Sequence, residues 1–302
     1  MIERDEKESF FQTADGAGIV RTFSVFPGIE LVYRDIRCRL LPENAAKTGN
    51  FLVIDHCRVG RMDWDDGREI VYLTGGDLAV SDGALWNKSP VFPMKKYEGI
   101  EIVIDLDRAP ESLFGILGDI DVDPAALKER LCADGCYIAR SSESVLHIFS
   151  ELYNVPESIR RGYFKVKVLE LLLFLSCTKE ESNERAGHSL SRAKTRLAGT
   201  VRSYIDRHPE EKLTIPMLAE KFHVSETGIK ESFKAVYDIS PYAYIRRQKM
   251  REAASLLRGT DRTVLEIAGQ FGYDNAGKFA KAFREVMGQT PREYRKGGNR
   301  KK

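Results

Sequence analysis

Two stretches decide the fold: LAEKFHVSETGIKESFKAVYDISPYAY at 218–244 and IAGQFGYDNAGKFAKAFREVMGQTPREY at 267–294. They are one motif written twice. Leu218, Ala219 and Phe222 fall on Ile267, Ala268 and Phe271, 49 residues further on. Ile229, Phe233, Val236, Pro241 and Tyr244 fall on Phe279, Phe283, Val286, Pro291 and Tyr294, 50 residues further on. The second copy therefore carries one extra residue in its turn. A repeat at fixed spacing is a stronger guide to architecture than the propensity of any single residue.

Each copy reads as helix–turn–helix. Thr214 can cap a short helix whose first turn tolerates Pro216. Ala219 and Ala268 are small where two helices must cross. Val224 plugs the first turn, and Gly272 suits a second turn that needs positive φ. Ser225 and Asn275 can cap the second helix of each copy. The buried sides of those helices are Ile229, Phe233, Val236 and Phe279, Phe283, Val286, at spacings of four and three, the period of a helix face. The outward side of the first is Thr227, Lys230, Glu231 and Lys234. That of the second is Ala276, Gly277, Ala280, Lys281 and Arg284, with Lys278 beside them. Ser240-Pro241 and Thr290-Pro291 are both cap-plus-proline starts.

Between the copies the pattern predicts one helix from about Pro241 to Arg258. Its 18 residues span about 27 Å at 1.5 Å each. A rod of that length can hold two helices about one DNA turn apart, ~34 Å.

On these residues, about 196–296 resembles the AraC/XylS family of bacterial transcription regulators. Ile267-Ala268, Gly272-Tyr273, Phe279, Phe283-Arg284, Gly288, Thr290-Pro291 and Tyr294-Arg295 carry the resemblance in the second copy. Leu218-Ala219, Ser225, Phe233-Lys234, Ser240-Pro241 and Tyr244-Ile245 carry it in the first. The resemblance implies binding to double-stranded promoter DNA through two recognition helices. Base-reading positions then fall on Thr227, Lys230, Glu231, Ala276, Gly277, Ala280 and Lys281. Lys234, Lys278 and Arg284 suit phosphate by their chemistry. Phosphate contacts position a protein, whereas base edges specify sequence. Lys230 and Lys281 can donate to guanine, and Glu231 can accept from cytosine N4. Two departures matter. The family often has Arg where Glu231 stands, and the small second helix surface favours backbone and shape readout.

Charge agrees. Residues 195–302 hold 22 Lys+Arg and 13 Asp+Glu, a net of +9, and residues 1–194 hold the remaining 25 and 32, a net of −7. A basic third behind an acidic two-thirds points to a C-terminal polyanion binder.

Residues 19–106 read as short strands. Phe51 to Ile54 is a buried run, and Asp65-Asp66-Gly67 is a turn between Gly60–Trp64 and Glu69–Leu73. Ile100, Ile102, Ile104 and Leu106 alternate with Glu101 and Asp105. From about 110 the pattern turns helical: a start at Asp123-Pro124, then 143–153 and 159–176. The stretch 178–194 loses periodicity. The fold class expected is α+β: an N-terminal β-barrel with trailing helices, then an all-α domain of two helix-turn-helix units joined by a long helix. The resemblance implies that the barrel is a cupin-like sensor for a small-molecule effector. The expected organisation is a sensor over 1–120, a helical dimerisation and coupling segment over 121–178, a linker over 179–194, the DNA-binding domain over 195–298 and a basic tail over 299–302.

Tyr33, Arg58, Trp64, Tyr72, Trp86 and Phe92 are the candidate effector pocket: aromatic walls with one cationic anchor. Leu169 to Leu175 is apolar nearly all round, which motivates a homodimer. His56 is the sole histidine in the strand region, too few for a cupin metal site. Cys132 and Cys136, four apart, are close enough on a helix to share a ligand but lack a second pair. There is no GxGxxG, P-loop or nucleophile elbow. No enzyme, cofactor or metal is expected, the alternative being an enzyme or metal sensor with an ancillary DNA-binding module. The charged start and the lack of a run of about 20 apolar residues predict a cytoplasmic protein without membrane contact. By family analogy the regulator is an activator, with RNA polymerase as a further partner.

Overall fold

The computed structural model describes residues 6–42, 49–66, 69–83, 89–109, 122–133, 135–179 and 182–298. The chain divides into two compact units, Met1–Leu190 and Ser191–Lys302. The architecture is α+β, as the sequence predicts: an antiparallel sheet with helices, then a unit of helices alone. Among the described residues no helix is long and apolar enough to cross a membrane.

The first unit holds β1 (Glu6–Thr13), β2 (Gly16–Phe26), β3 (Ile29–Ile36), β4 (Phe51–Asp65), β5 (Ile70–Thr74), β6 (Asp77–Ser81), β7 (Tyr97–Asp105), β8 (Cys136–Arg140) and β9 (Ser189–Leu190). The order is β1-β2-β3-β7-β4-β5-β9, with β6 paired to β4 and β8 to β6. The two runs predicted at 51–54 and 60–64 are one strand, β4. Its first half pairs with β7 and β6 and its second half with β5, and the register slips between Cys57 and Val59. Such a bulge bends a strand, so β4 belongs to two parts of the sheet.

Strand alternation sorts side chains into two cores. Ile100, Ile102, Ile104, Leu78 and Val80 face one cluster. It is completed by helices α1 (Pro124–Leu131), α2 (Glu143–Leu152) and α3 (Arg160–Ser176) through Leu127, Phe149, Val168 and Leu172. Ala79 and Ile138 face the other, with Trp64, Leu73, Phe92 and Tyr97. Each fully buried large apolar side chain contributes about 1.5–3 kcal/mol.

Two expectations are corrected. Residues 136–140 are a strand inside the stretch read as helical, because Cys136 to Ala139 are buried on both faces and show no alternation to read. Cys132 and Cys136 accordingly do not share a helix: Cys132 caps α1 and Cys136 opens β8. The stretch read as aperiodic also has structure. Asn183 accepts from the Ile138 amide at 3.0 Å and donates to the Cys136 carbonyl at 3.3 Å. A 3-10 turn at Arg185–His188 then leads into β9, which pairs with β5.

The second unit is α4 (Arg192–Arg207), α5 (Ile215–Lys221), α6 (Glu226–Tyr237), α7 (Pro241–Gly259), α8 (Val264–Gln270), α9 (Ala276–Met287) and α10 (Pro291–Gly298). Thr214, Ser225, Ser240 and Asn275 cap α5, α6, α7 and α9 with their side chains. Thr263 and Glu266 form a reciprocal capping box at α8, and Thr290 and Glu293 exchange the same bonds at α10.

Candidate nucleic-acid interface

The repeated residues build two similar scaffolds. In the first, Phe233 is fully buried, 4.7 Å from Tyr237 and 5.3 Å from Tyr244 between ring centroids. In the second, Phe283 is fully buried, 5.7 Å from Phe279 and 5.5 Å from Tyr294. Tyr244 donates to Asp206 at 2.6 Å and accepts from Arg202 at 2.9 Å, which ties α7 to α4. Burial and the Asp206 carboxylate push the Tyr244 hydroxyl pKa up, so it stays a donor. Arg246 on α7 is ion-paired with Glu285 on α9. These contacts fix the orientation of α6 and α9 from behind.

The opposite faces are open. Thr227, Lys230, Glu231 and Lys234 are exposed along α6, and Gly277, Lys278, Lys281 and Arg284 along α9, with Ala276 and Ala280 half-buried between them. In the first copy Lys230 pairs with Glu226 one turn earlier at 3.2 Å, an exposed contact worth a few tenths of a kcal/mol. A ligand phosphate or base edge can replace Glu226 at little cost. The helix starts differ too. Ser225 spends its oxygen on one amide, that of Gly228, whereas Asn275 Oδ1 accepts from both Gly277 and Lys278.

Of the residues proposed as an effector pocket, the five that are described, Tyr33, Arg58, Trp64, Tyr72 and Phe92, do not share one cavity. Tyr33 and Arg58 line a cavity of about 550 Å³ with Phe23, Tyr153, Arg160 and Phe164. Arg58 lies 4.4 Å over the Tyr153 ring, and Tyr33 donates to the Leu152 carbonyl at 2.5 Å. Trp64 and Phe92 are packed in the second core cluster, because large aromatics are the cheapest way to fill a sheet interior. Tyr72 sits under Arg61 at 3.9 Å and donates to the Gly187 carbonyl at 2.9 Å. Trp86 lies outside the described residues. Sequence reading missed Tyr153 and Arg160, which carry no local pattern.

Buried charge gathers on the other face of the sheet. Arg34 and Glu101 pair at 2.7 Å, and Asp55 lies opposite Glu101 in the ladder. Burial and the Glu101 carboxylate push the Asp55 pKa well up. His56 stacks on Phe149 at 4.2 Å, and burial lowers its pKa to about 4. His208, Glu210 and Glu211, on the turn after α4, could offer three ligand atoms within 4.8 Å of one another. That is one short of the usual structural zinc set, and His208 and Glu211 already pair at 2.9 Å.

Residues 218–297 match the family described as a helix-turn-helix domain. The chain is 32% identical over 96 residues to the regulatory protein SoxS of Salmonella typhimurium, covering 32% of this chain and 90% of that protein. It is 30% identical over 165 residues to the uncharacterized HTH-type transcriptional regulator YisR of Bacillus subtilis, covering 55% of this chain and 53% of that one. Among solved structures it is similar to a probable AraC family transcriptional regulator from Rhodopseudomonas palustris, 28% identical, covering 34% of this chain and 97% of that chain, with a TM-score of 0.32. The chain spans 31%, 53% and 44% of the first three curated relatives it matches.

Proposed function

The chain belongs to the AraC/XylS family of DNA-binding transcription regulators, and from that premise we propose that α6 and α9 enter successive major grooves of promoter DNA. Thr227, Lys230 and Glu231 meet base edges from α6. Ala276, Gly277, Ala280 and Lys281 do so from α9. Lys234, Lys278 and Arg284 hold phosphates. α7, 19 residues long and so about 28 Å, sets the spacing. The observation that carries this reading is the pair of exposed faces on two helices, each capped by a side chain and backed by buried aromatic rings.

The first unit is proposed as the sensor of a small molecule, with the Tyr33–Arg58–Tyr153 cavity as its entry point. Domain bounds follow the sequence reading, sensor over 1–120, coupling helices over 121–178, linker over 179–194 and DNA-binding domain over 195–298, except that 182–190 is held on the sheet. A second copy packs on α3, where Val166 and Phe174 are 60% and 41% exposed. Effector binding shifts the population of DNA-competent geometry. Activation through RNA polymerase and a cytoplasmic location complete the proposal.

The test is selection of bound genomic fragments by the full-length protein at two salt concentrations. A shared motif of two elements about one helical turn apart supports the reading. Fragments with no common motif, lost uniformly as salt rises, would reduce the second unit to a basic surface.

A further inference from the structure

The segment 182–190 ends one residue before α4, with Ser191 between them. It is also fastened to the sheet. β9 pairs with β5, and Tyr72 donates to the Gly187 carbonyl. The decisive contact is His188. Its Nδ1 lies 3.1 Å from the Glu184 carbonyl oxygen, and its Nε2 lies 3.2 Å from Asp77 Oδ2. Both partners can only accept. A neutral imidazole has one N–H and can serve one of them, whereas the imidazolium serves both.

We propose that residues 182–190 form a proton-dependent clasp, closed when the His188 imidazolium bridges Asp77 and Glu184 and released when it loses its proton. Asp77 is built to stay ionised for this purpose. It is almost fully buried, and it accepts from the Thr74 amide and hydroxyl at 2.7 and 2.6 Å and from Arg140 at 3.1 Å. The groups around His188 are Asp77 on β6, Arg140 on β8, Tyr72 on β5, Glu184 on its own segment, and, sensing Asp77 from β4, His56 and Cys57. The Asp77 bond raises the His188 pKa, and those donors hold Asp77 down at about 2. The clasp is therefore fully closed below about 6.5, the ordinary histidine value. It opens as pH rises through the raised folded value. Opening frees nine residues of tether ahead of α4, about 30 Å of extended chain.

Hydrogen exchange on the full-length protein tests this. After division by the intrinsic exchange rates, amides of 182–190 and of Ile70 and Val71 should exchange about tenfold faster at pH 8.5 than at pH 6, the loss of one charge-assisted hydrogen bond. His188→Gln should exchange fast at both pH values. Tyr72→Phe should exchange faster at both by the same factor and keep the pH response, so the result stands even if the histidine variant folds poorly. Equal corrected rates in the wild type, or a pH response retained in His188→Gln, overturns the proposal.

Discussion

His223 and Gly272 occupy the same turn in the two repeats, and both are left-handed, with φ of 54° and 80°. The relationship recurs at the ends of α6 and α9, where Asp238 has φ 55° and Gly288 has φ 77°. The second copy meets both conformations with glycine. The first meets them with residues that bear a side chain.

Glycine at 272 is thus held by backbone conformation alone, since a Cβ there would meet no atom within 4 Å. Gly272→Ala should destabilise the protein by ~1–2 kcal/mol, the left-handed cost. His223→Ala should change little, because neither residue is glycine. Denaturant unfolding of both variants checks this, and equal losses would remove the conformational argument.

Phe233→Ala deletes a fully buried ring between Tyr237 and Tyr244. A loss of ~3–5 kcal/mol is expected, as for other core aromatics. An unchanged melting curve would mean that the ring carries no packing.

Lys230→Ala should weaken binding to a selected site by ~1–3 kcal/mol while sparing random DNA, if Lys230 reads a base. Titrations on both DNAs at several salt concentrations decide. Uniform loss with a shallower salt slope would move Lys230 to the phosphate contacts.

His56 gives the first unit an acid limb. Its folded pKa, about 4, lies below the unfolded value near 6.5. Stability from the neutral ring is complete above 6.5 and is lost as pH falls through that window, at up to about 1.4 kcal/mol per pH unit. His56→Phe should flatten the difference between urea unfolding at pH 7 and pH 5. A pH dependence identical to the wild type would place the titration elsewhere.

The second unit was legible because its information is local. Caps, three- and four-residue apolar spacing and proline starts all lie within a few residues of what they specify, and the repeat states them twice. The outward faces follow from the same phase. The sheet was harder. β1 pairs along its length with β2 yet is exposed from Glu6 to Phe10, so it shows no buried alternation and the strand reading begins only at 19. Trp64 and Phe92 resemble pocket walls by composition but fill a core. His188 and Asp77 are 111 residues apart, and no local pattern joins them.

α7 serves two cores at once. Tyr244 and Ile245 are buried near its start, with Tyr244 packed on Phe233 and Tyr237 of the first repeat, while Met250, Ala253, Ala254 and Leu257 belong to the core of the second. The boundary between repeats in the sequence is therefore not a boundary in the packing. A chain cut after Gly259 would leave half of α7 as a bare apolar stripe, and one begun at Pro241 would leave Tyr244 without the two α6 rings it packs on. The duplication survives as pattern, but the two copies can no longer be separated into independent parts.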